Sequence, residues 1–108
     1  HKKIEFFTHP KNSFPTYDAF CFLVDSKSRA IKIRKNLIKK NYATKILPEA
    51  SSWHFAGEWE HIKNINKKNL TKSKIILDRT VALPLSMKSK EKNVDEISNI
   101  IIEVMSGK

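Results

Sequence analysis

A chain of 108 residues, 40% of them hydrophobic and 30% charged, has the composition of one globular domain with a modest core. It has no run of about 18 apolar residues and no signal-peptide pattern, so we expect neither a membrane span nor a secretory leader. The single cysteine, Cys21, cannot form an internal disulfide, which favours a reducing, cytoplasmic location.

The formal net charge of +10 is unevenly distributed. Residues 26–48 carry many basic side chains and no acidic one, and residues 62–74 contain five lysines and again no acid. The positive electrostatic potential of such basic stretches attracts polyanions, including nucleic acid. The alternative interpretation is that these lysines are only solvated helix faces. No aromatic residues alternate with the lysines, as stacking on nucleic-acid bases requires, and this favours the second interpretation.

The stretch 4–17 predicts an irregular lead-in, because Pro10 and Pro15 interrupt it. Its three phenylalanines, which we expect to anchor it against a larger body, are Phe6, Phe7 and Phe14.

A strand and a helix are the first regular elements predicted along the chain. The continuous apolar run 19–24 has the length and aromatic content of a buried strand. Ser26 or Ser28 is expected to cap the helix that follows, and Asn41 to end it. The apolar face of this helix is predicted to consist of Ala30, Ile33, Leu37 and Ile38.

The middle of the chain predicts two short strands separated by polar sequence. A strand is expected at 44–47, closed by Pro48. Residues 64–74 are polar and lysine-rich, which predicts an irregular, mobile excursion. Residues 80–85 predict a further strand, and its Pro84 favours a sheet edge or a bulge.

The last predicted element is an amphipathic helix. Asn93 is its expected N-cap, Glu96 stands in the capping-box position, and Gly107 supplies the stop. Its buried stripe is predicted to be Val94, Ile97, Ile100, Ile101, Val104 and Met105. These elements together predict an α+β fold with a small, mostly antiparallel sheet and helices packed on one face.

Residues 47–61, called the Trp/His segment below, hold both tryptophans, two of the four histidines and one of the two glycines. The candidate site residues are Trp53, His54, Trp59 and His61. On one hypothesis the aromatic rings only pack the segment against a core or a neighbour. On the other they form a pocket wall, where indole faces cover an apolar ring and an imidazole reaches a polar group of a small ligand.

Metal binding and nucleophilic catalysis have little support in the sequence. His54, Glu58 and His61 have spacings that suit a shared helical face, but no third strong ligand lies nearby. Ser51 and Ser52 precede His54 without a glycine-rich elbow or an identifiable oriented base. The sequence therefore predicts no metal site and no catalytic residue.

The order of these motifs resembles the C-terminal small domain of the DegT/DnrJ/EryC1/StrS family of pyridoxal-phosphate (PLP)-dependent sugar aminotransferases. The Trp/His segment looks most like the subgroup that acts on 8-keto octulosonic acids of lipopolysaccharide. The matching parts, in chain order, are the strand 19–24, the helix and turn 28–44, the Trp/His segment, the Leu-Pro-Leu strand 81–85 and the helix 94–101.

The resemblance implies the fold of the C-terminal domain of fold-type-I aminotransferases. Residues 1–17 would lead in from a large PLP-binding domain, and residues 18–108 would form the small domain. The full-length enzyme would be a cytoplasmic homodimer. It would transfer an amino group from an amino acid, with glutamate expected, to a keto sugar in lipopolysaccharide or other cell-surface polysaccharide biosynthesis.

The same resemblance implies that Trp53, His54, Trp59 and His61 face the substrate or the domain interface. The family's catalytic lysine and cofactor-binding residues have no matching positions here. The chain alone is therefore expected to hold no PLP and to be inactive. The alternative function is a free-standing basic α+β module that binds nucleic acid, favoured by the charge but by no binding motif.

Overall fold

The sheet of the computed structural model, which describes residues 2–64, 66–86 and 90–107, is centred on β2 (Ala19–Leu23). This strand pairs antiparallel with β1 (Glu5–Phe6) on one side and with β3 (Thr80–Pro84) on the other. The predicted α+β class with an antiparallel sheet is therefore confirmed. As Pro84 indicated, β3 lies at an edge of the described sheet, where a missing backbone N–H costs least.

The first helix, α1 (Lys27–Lys39), begins and ends where local signals predicted. The Ser26 hydroxyl caps it by accepting a hydrogen bond from the Arg29 N–H at 3.3 Å. Just beyond its end, Asn41 adopts a left-handed conformation with φ 63°. Ile38, predicted to be on the apolar face, is instead exposed, because it lies one turn after Arg34 on the flank of the helix.

The last helix, α4 (Glu91–Ser106), begins before Asn93, so the predicted N-cap and capping box are wrong. The N-cap is Lys90, without a side-chain hydrogen bond, and Glu96 instead accepts a hydrogen bond from the Tyr42 hydroxyl. Gly107 ends the helix as predicted, with φ 78°. Among the described residues, no helix is both long and apolar enough to cross a bilayer.

The core lies between one face of the sheet and the two long helices. Phe22 on β2 stands opposite Val81 on β3, and both side chains are buried. The buried side chains that α1 and α4 pack onto this face are Ala30, Ile33, Leu37, Ile101, Val104 and Met105. Ile97 and Ile100 are partly buried against the core as expected, whereas Val94, predicted to be buried, is 55% exposed.

A 3₁₀ turn and the start of a helix together occupy most of the stretch 64–74, which was predicted to be an irregular excursion. A 3₁₀ turn at Lys67–Leu70 leads into α3 (Thr71–Arg79). Polar contacts fix α3: Asp78 accepts from Lys74 of the same helix at 2.6 Å and pairs with Lys27 of α1 at 2.9 Å. Ile65, part of the same prediction, lies outside the described residues.

Two shorter stretches also differ from the predictions. Residues 44–47 are irregular rather than a strand, although the Lys45 N–H donates to the Ala82 carbonyl of β3 at 2.8 Å. The lead-in, predicted to be irregular throughout, contains β1, whose Phe6 pairs with Phe22. The backbone pairing of each stretch is with residues distant in sequence, Ala82 for Lys45 and Phe22 for Phe6, and local patterns do not reveal such partners.

Candidate functional site

The Trp/His segment starts from a fixed point between α1 and β3. Arg34 of α1 donates to the Lys45 carbonyl at 3.2 Å and forms an ion pair with Glu49. Pro48, between these two contacts, is fully buried, and the Leu47–Pro48 peptide bond is cis. The segment therefore leaves the body of the domain at a defined position and in a defined direction.

Polar contacts hold the middle of the segment together. It contains the short helix α2 (Ser51–His54) and a 3₁₀ turn at Ala56–Glu58. The Ser51 hydroxyl donates to the Glu58 carboxylate, with distances of 3.0 and 2.8 Å to its two oxygens. Glu58 in turn lies 3.6 Å from the ammonium group of Lys74 on α3. This chain of contacts joins the start of the segment to its end and to α3.

Gly57 lies buried in this turn because the Phe55 ring occupies the space beside it. An ideal Cβ at Gly57 would lie 2.4 Å from the Phe55 ring. The Lys74 ammonium group lies 6.0 Å from the centroid of the same ring. A side chain at position 57 would therefore displace the Phe55 ring, and the constraint comes from this close approach rather than from the backbone conformation.

Trp59 and His61 stabilise the segment from within. The Trp59 indole N–H donates to the Ser52 carbonyl at 2.6 Å, across the turn. The Trp59 and His61 rings stack, with centroids 5.9 Å apart and planes inclined by 15°. One edge and one face of the Trp59 indole are therefore already engaged inside the segment.

Trp53 and His54 project from α2 into solvent. Trp53 is 72% exposed, and His54 is also exposed. The four predicted site residues are all exposed, but they form two pairs: Trp59 and His61 stack on each other, whereas Trp53 and His54 form an open surface. The second pair has ring faces and imidazole nitrogens available to a ligand or a neighbouring domain.

The segment has no arrangement suited to a metal ion. In the described part of the chain, no group of three His, Cys, Asp or Glu side chains could hold one. The helical spacing weighed for His54 and Glu58 does not arise, because α2 ends at His54. Glu58 is instead engaged by Ser51 and Lys74.

Lys74 of α3 does not fit the role of an imine-forming lysine for PLP. A lysine that forms an imine needs a lowered pKa, so that its amine is neutral. Lys74, the lysine most involved in polar contacts here, has the opposite property: its hydrogen bond to Asp78 raises its pKa above the usual value. No chemical step through PLP is therefore derived for this chain.

Cys21 is the other group with nucleophilic chemistry. Burial and the nearby Asp18 carboxylate raise the pKa of the Cys21 thiol, and Lys45 opposes them with a smaller effect. The thiol is therefore protonated and weakly reactive at neutral pH.

Sequence reasoning did not anticipate the contacts that fix the segment. Arg34 and Glu49 were each visible as charges, but their pairing spans 15 residues and depends on where the segment leaves α1. The contact between the Phe55 ring and Gly57 was not anticipated either. The one local signal was Gly57 itself, one of only two glycines in the chain and two residues from both Phe55 and Trp59.

Comparisons of the chain with protein-family models, with curated proteins and with solved structures found no match. What the chain does is therefore inferred from its own residues and geometry.

Proposed function

We propose that this chain is the C-terminal small domain of a PLP-dependent sugar aminotransferase. The larger enzyme transfers an amino group from an amino acid, with glutamate as donor, to a keto sugar in cytoplasmic lipopolysaccharide biosynthesis. PLP and the catalytic lysine belong to a large domain outside this sequence, and the full-length enzyme is a homodimer. This domain contributes the Trp/His segment.

The main support is the open pair of Trp53 and His54 on a segment that is otherwise held rigid. The Trp53 indole is 72% exposed to water, so its face is accessible to a ligand or to a neighbouring domain. Its flat face suits the apolar side of a sugar ring, and the adjacent imidazole suits a sugar hydroxyl. Trp59 and His61 keep this surface in place through their contacts inside the segment.

The order of elements gives further support. The partly buried strand β2 is followed by α1, with Asn41 just beyond its end, and then by the Trp/His segment. After α3, which has no counterpart in the resemblance, come β3 with its Leu-Pro and the closing helix α4. This is the order of parts on which the family resemblance depends. Phe14 in the lead-in is 95% exposed, which is consistent with a further body of protein beside this one.

The first test is the intact mass and visible absorbance of the gene's product, purified as the cell makes it. The proposal expects a mass several-fold above 12.5 kDa and bound PLP. In that protein, Trp53→Ala should lower kcat/KM for the keto sugar while PLP content stays unchanged, because Trp53 contacts substrate or the domain interface and not the cofactor.

A matched control is Trp59→Phe, which keeps a packed ring inside the segment and should affect sugar turnover less than Trp53→Ala. A product of about 12.5 kDa without PLP would exclude the proposed function. Unchanged sugar kinetics in Trp53→Ala would exclude the assigned role of the segment while leaving the enzyme class intact.

A second candidate function, binding of nucleic acid, is favoured by one observation on α1. Lys32, Lys35 and Lys39 share the solvent-facing side of this helix, and α1 contains no acidic residue. In this case the isolated chain should bind duplex DNA with a steep salt dependence, which the triple change of these lysines to glutamine removes. Binding that is absent at low salt would exclude this candidate.

A further inference from the structure

An apolar groove lies between the β1 side of the sheet and α4. It has a volume of about 350 Å³ and is lined by Ile4, Phe6, Phe20, Phe22, Val94, Ser98, Ile101 and Ile102. Its floor is the core itself, because Phe22 and Ile101 are buried. Its walls are open: Phe6 is 62% exposed, and Ile102 is 50% exposed. Among the lining side chains, Ser98 alone is polar.

The groove exists because the helical layer covers only part of the sheet. Phe6 pairs with Phe22, so both side chains lie on the face that carries α1 and α4. The helices bury Phe22 but leave Phe6 and Phe20 exposed beside α4. One helix position next to α4 is therefore vacant on this face.

The α4 wall has the spacing of a helix-packing ridge. Val94, Ser98 and Ile102 follow one another at intervals of four residues, which is the row that interdigitates with a neighbouring helix. Ser98, the smallest of the three, stands at the centre of the row and permits close approach.

The same wall is acidic in a molecule whose net charge is +10. Glu91 and Asp95 each stand three residues before a ridge residue, Val94 and Ser98 respectively, and therefore lie beside the ridge on α4. Within the residues that the structure describes, neither carboxylate forms an ion pair, and both are exposed.

From this geometry we propose that the groove binds an amphipathic helix of a partner protein or domain, with an apolar face flanked by lysine or arginine. The apolar side chains would fill the space beside Phe6 and Phe20, and the basic flank would meet Glu91 and Asp95. A small polar ligand is disfavoured, because Ser98 alone offers a polar group to orient it. An anionic lipid is disfavoured by the two carboxylates. This inference does not depend on the aminotransferase proposal.

The test uses the chain itself and two designed helical peptides of about 15 residues with the same leucine face. One peptide carries lysine on both flanks of that face and its twin carries glutamate. The groove predicts that the basic peptide binds about tenfold more tightly, measured by fluorescence anisotropy. General attraction to the positive net charge would instead make the acidic peptide bind more tightly. Which peptide binds more tightly therefore distinguishes binding in the groove from general attraction.

Two variants locate the binding. Ile102→Gln should lower the affinity for the basic peptide about tenfold. Ile76→Gln, the same change at a similarly exposed position of α3, should leave that affinity unchanged. Glu91→Gln with Asp95→Asn should remove the preference for the basic peptide and leave the order that the overall charge predicts, without unfolding the domain.

Three results would overturn the proposal: tighter binding of the acidic twin, equal loss of affinity in the Ile102 and Ile76 variants, or no binding of either peptide. A fourth would be a concentration-dependent dimer in sedimentation that Ile102→Gln dissociates, since a second copy would then be the occupant.

Discussion

The indole N–H of Trp59 donates to the backbone carbonyl of Ser52 across 2.6 Å, so the second tryptophan of the segment supports the turn that presents the first. Two indoles six residues apart thus have different environments. Trp53 is 72% exposed, whereas Trp59 is 38% exposed and stacked on His61. Fluorescence distinguishes such environments, because a solvated indole emits at longer wavelength and is quenched more readily.

Paired single-tryptophan variants test this difference. Trp59→Phe leaves Trp53 as the only emitter, and its emission should be red-shifted and readily quenched by acrylamide. Trp53→Phe should give bluer emission and weaker quenching. Trp59→Phe should also lower the free energy of unfolding by about 1 kcal/mol, because the hydrogen bond to Ser52 is lost. Equal quenching in the two variants would contradict the described geometry.

Gly57→Ala should destabilise the Trp/His segment. The added Cβ would lie 2.4 Å from the Phe55 ring, so the ring must leave its place beside Lys74. Overpacking of this kind costs about 1–3 kcal/mol, which urea unfolding measures. The control is Phe55→Leu, alone and combined with Gly57→Ala.

If contact with the ring causes the loss, the double variant will be more stable than the sum of the single changes predicts. Additive losses would mean that Gly57 is needed for a reason other than the Phe55 ring.

Local sequence signals located the elements that depend on local chemistry. The apolar run became β2, the Ser26 hydroxyl caps α1, and Gly107 ends α4 in a left-handed conformation. Each of these depends on residues within a few positions in the chain.

The predictions failed where a distant partner decides the structure. Glu96 has the spacing of a capping-box residue, but its carboxylate accepts from the hydroxyl of Tyr42, 54 residues earlier in the chain. In α3, Ile75 and Ile76 remain exposed, so no buried stripe marked this stretch as a helix. The Trp/His segment was recognised by composition alone. Its division into a stacked pair and an open pair depends on contacts that composition does not encode.

Asp78→Asn should lower stability by about 1 kcal/mol near neutral pH, a value limited by the partial exposure of the pair. Burial by itself would raise the pKa of Asp78, but hydrogen bonds from Lys74 and Lys27 outweigh it and hold that pKa below the usual value. Because the folded-state pKa is lowered, the carboxylate stabilises the fold above the unfolded-state pKa of about 4. This contribution is lost as the pH falls through the folded-state pKa.

The measurement is urea unfolding of the wild type and Asp78→Asn across pH. Their difference in free energy should be constant near neutrality and shrink below about pH 4. It should also shrink at alkaline pH, since the hydrogen bond to Asp78 raises the pKa of Lys74 and its contribution is lost on deprotonation. Asp95→Asn, an exposed change of the same type, should show neither trend. A pH-independent difference would contradict the assigned ion pairs.

Cys21 should react slowly with iodoacetamide at neutral pH, and two neighbouring charges should tune its rate in opposite directions. Burial and Asp18 raise the pKa of the thiol, while Lys45 lowers it. Asp18→Asn should therefore increase the thiolate fraction and the alkylation rate, whereas Lys45→Gln should decrease both. Raising the pH should increase the alkylation rate of the wild type and of both variants. The order of the three rates should stay the same at every pH below the pKa of the thiol. If both variants speed the reaction equally, the cause is opening of the lead-in over β2, because a loss of burial acts in the same direction whichever charge is removed.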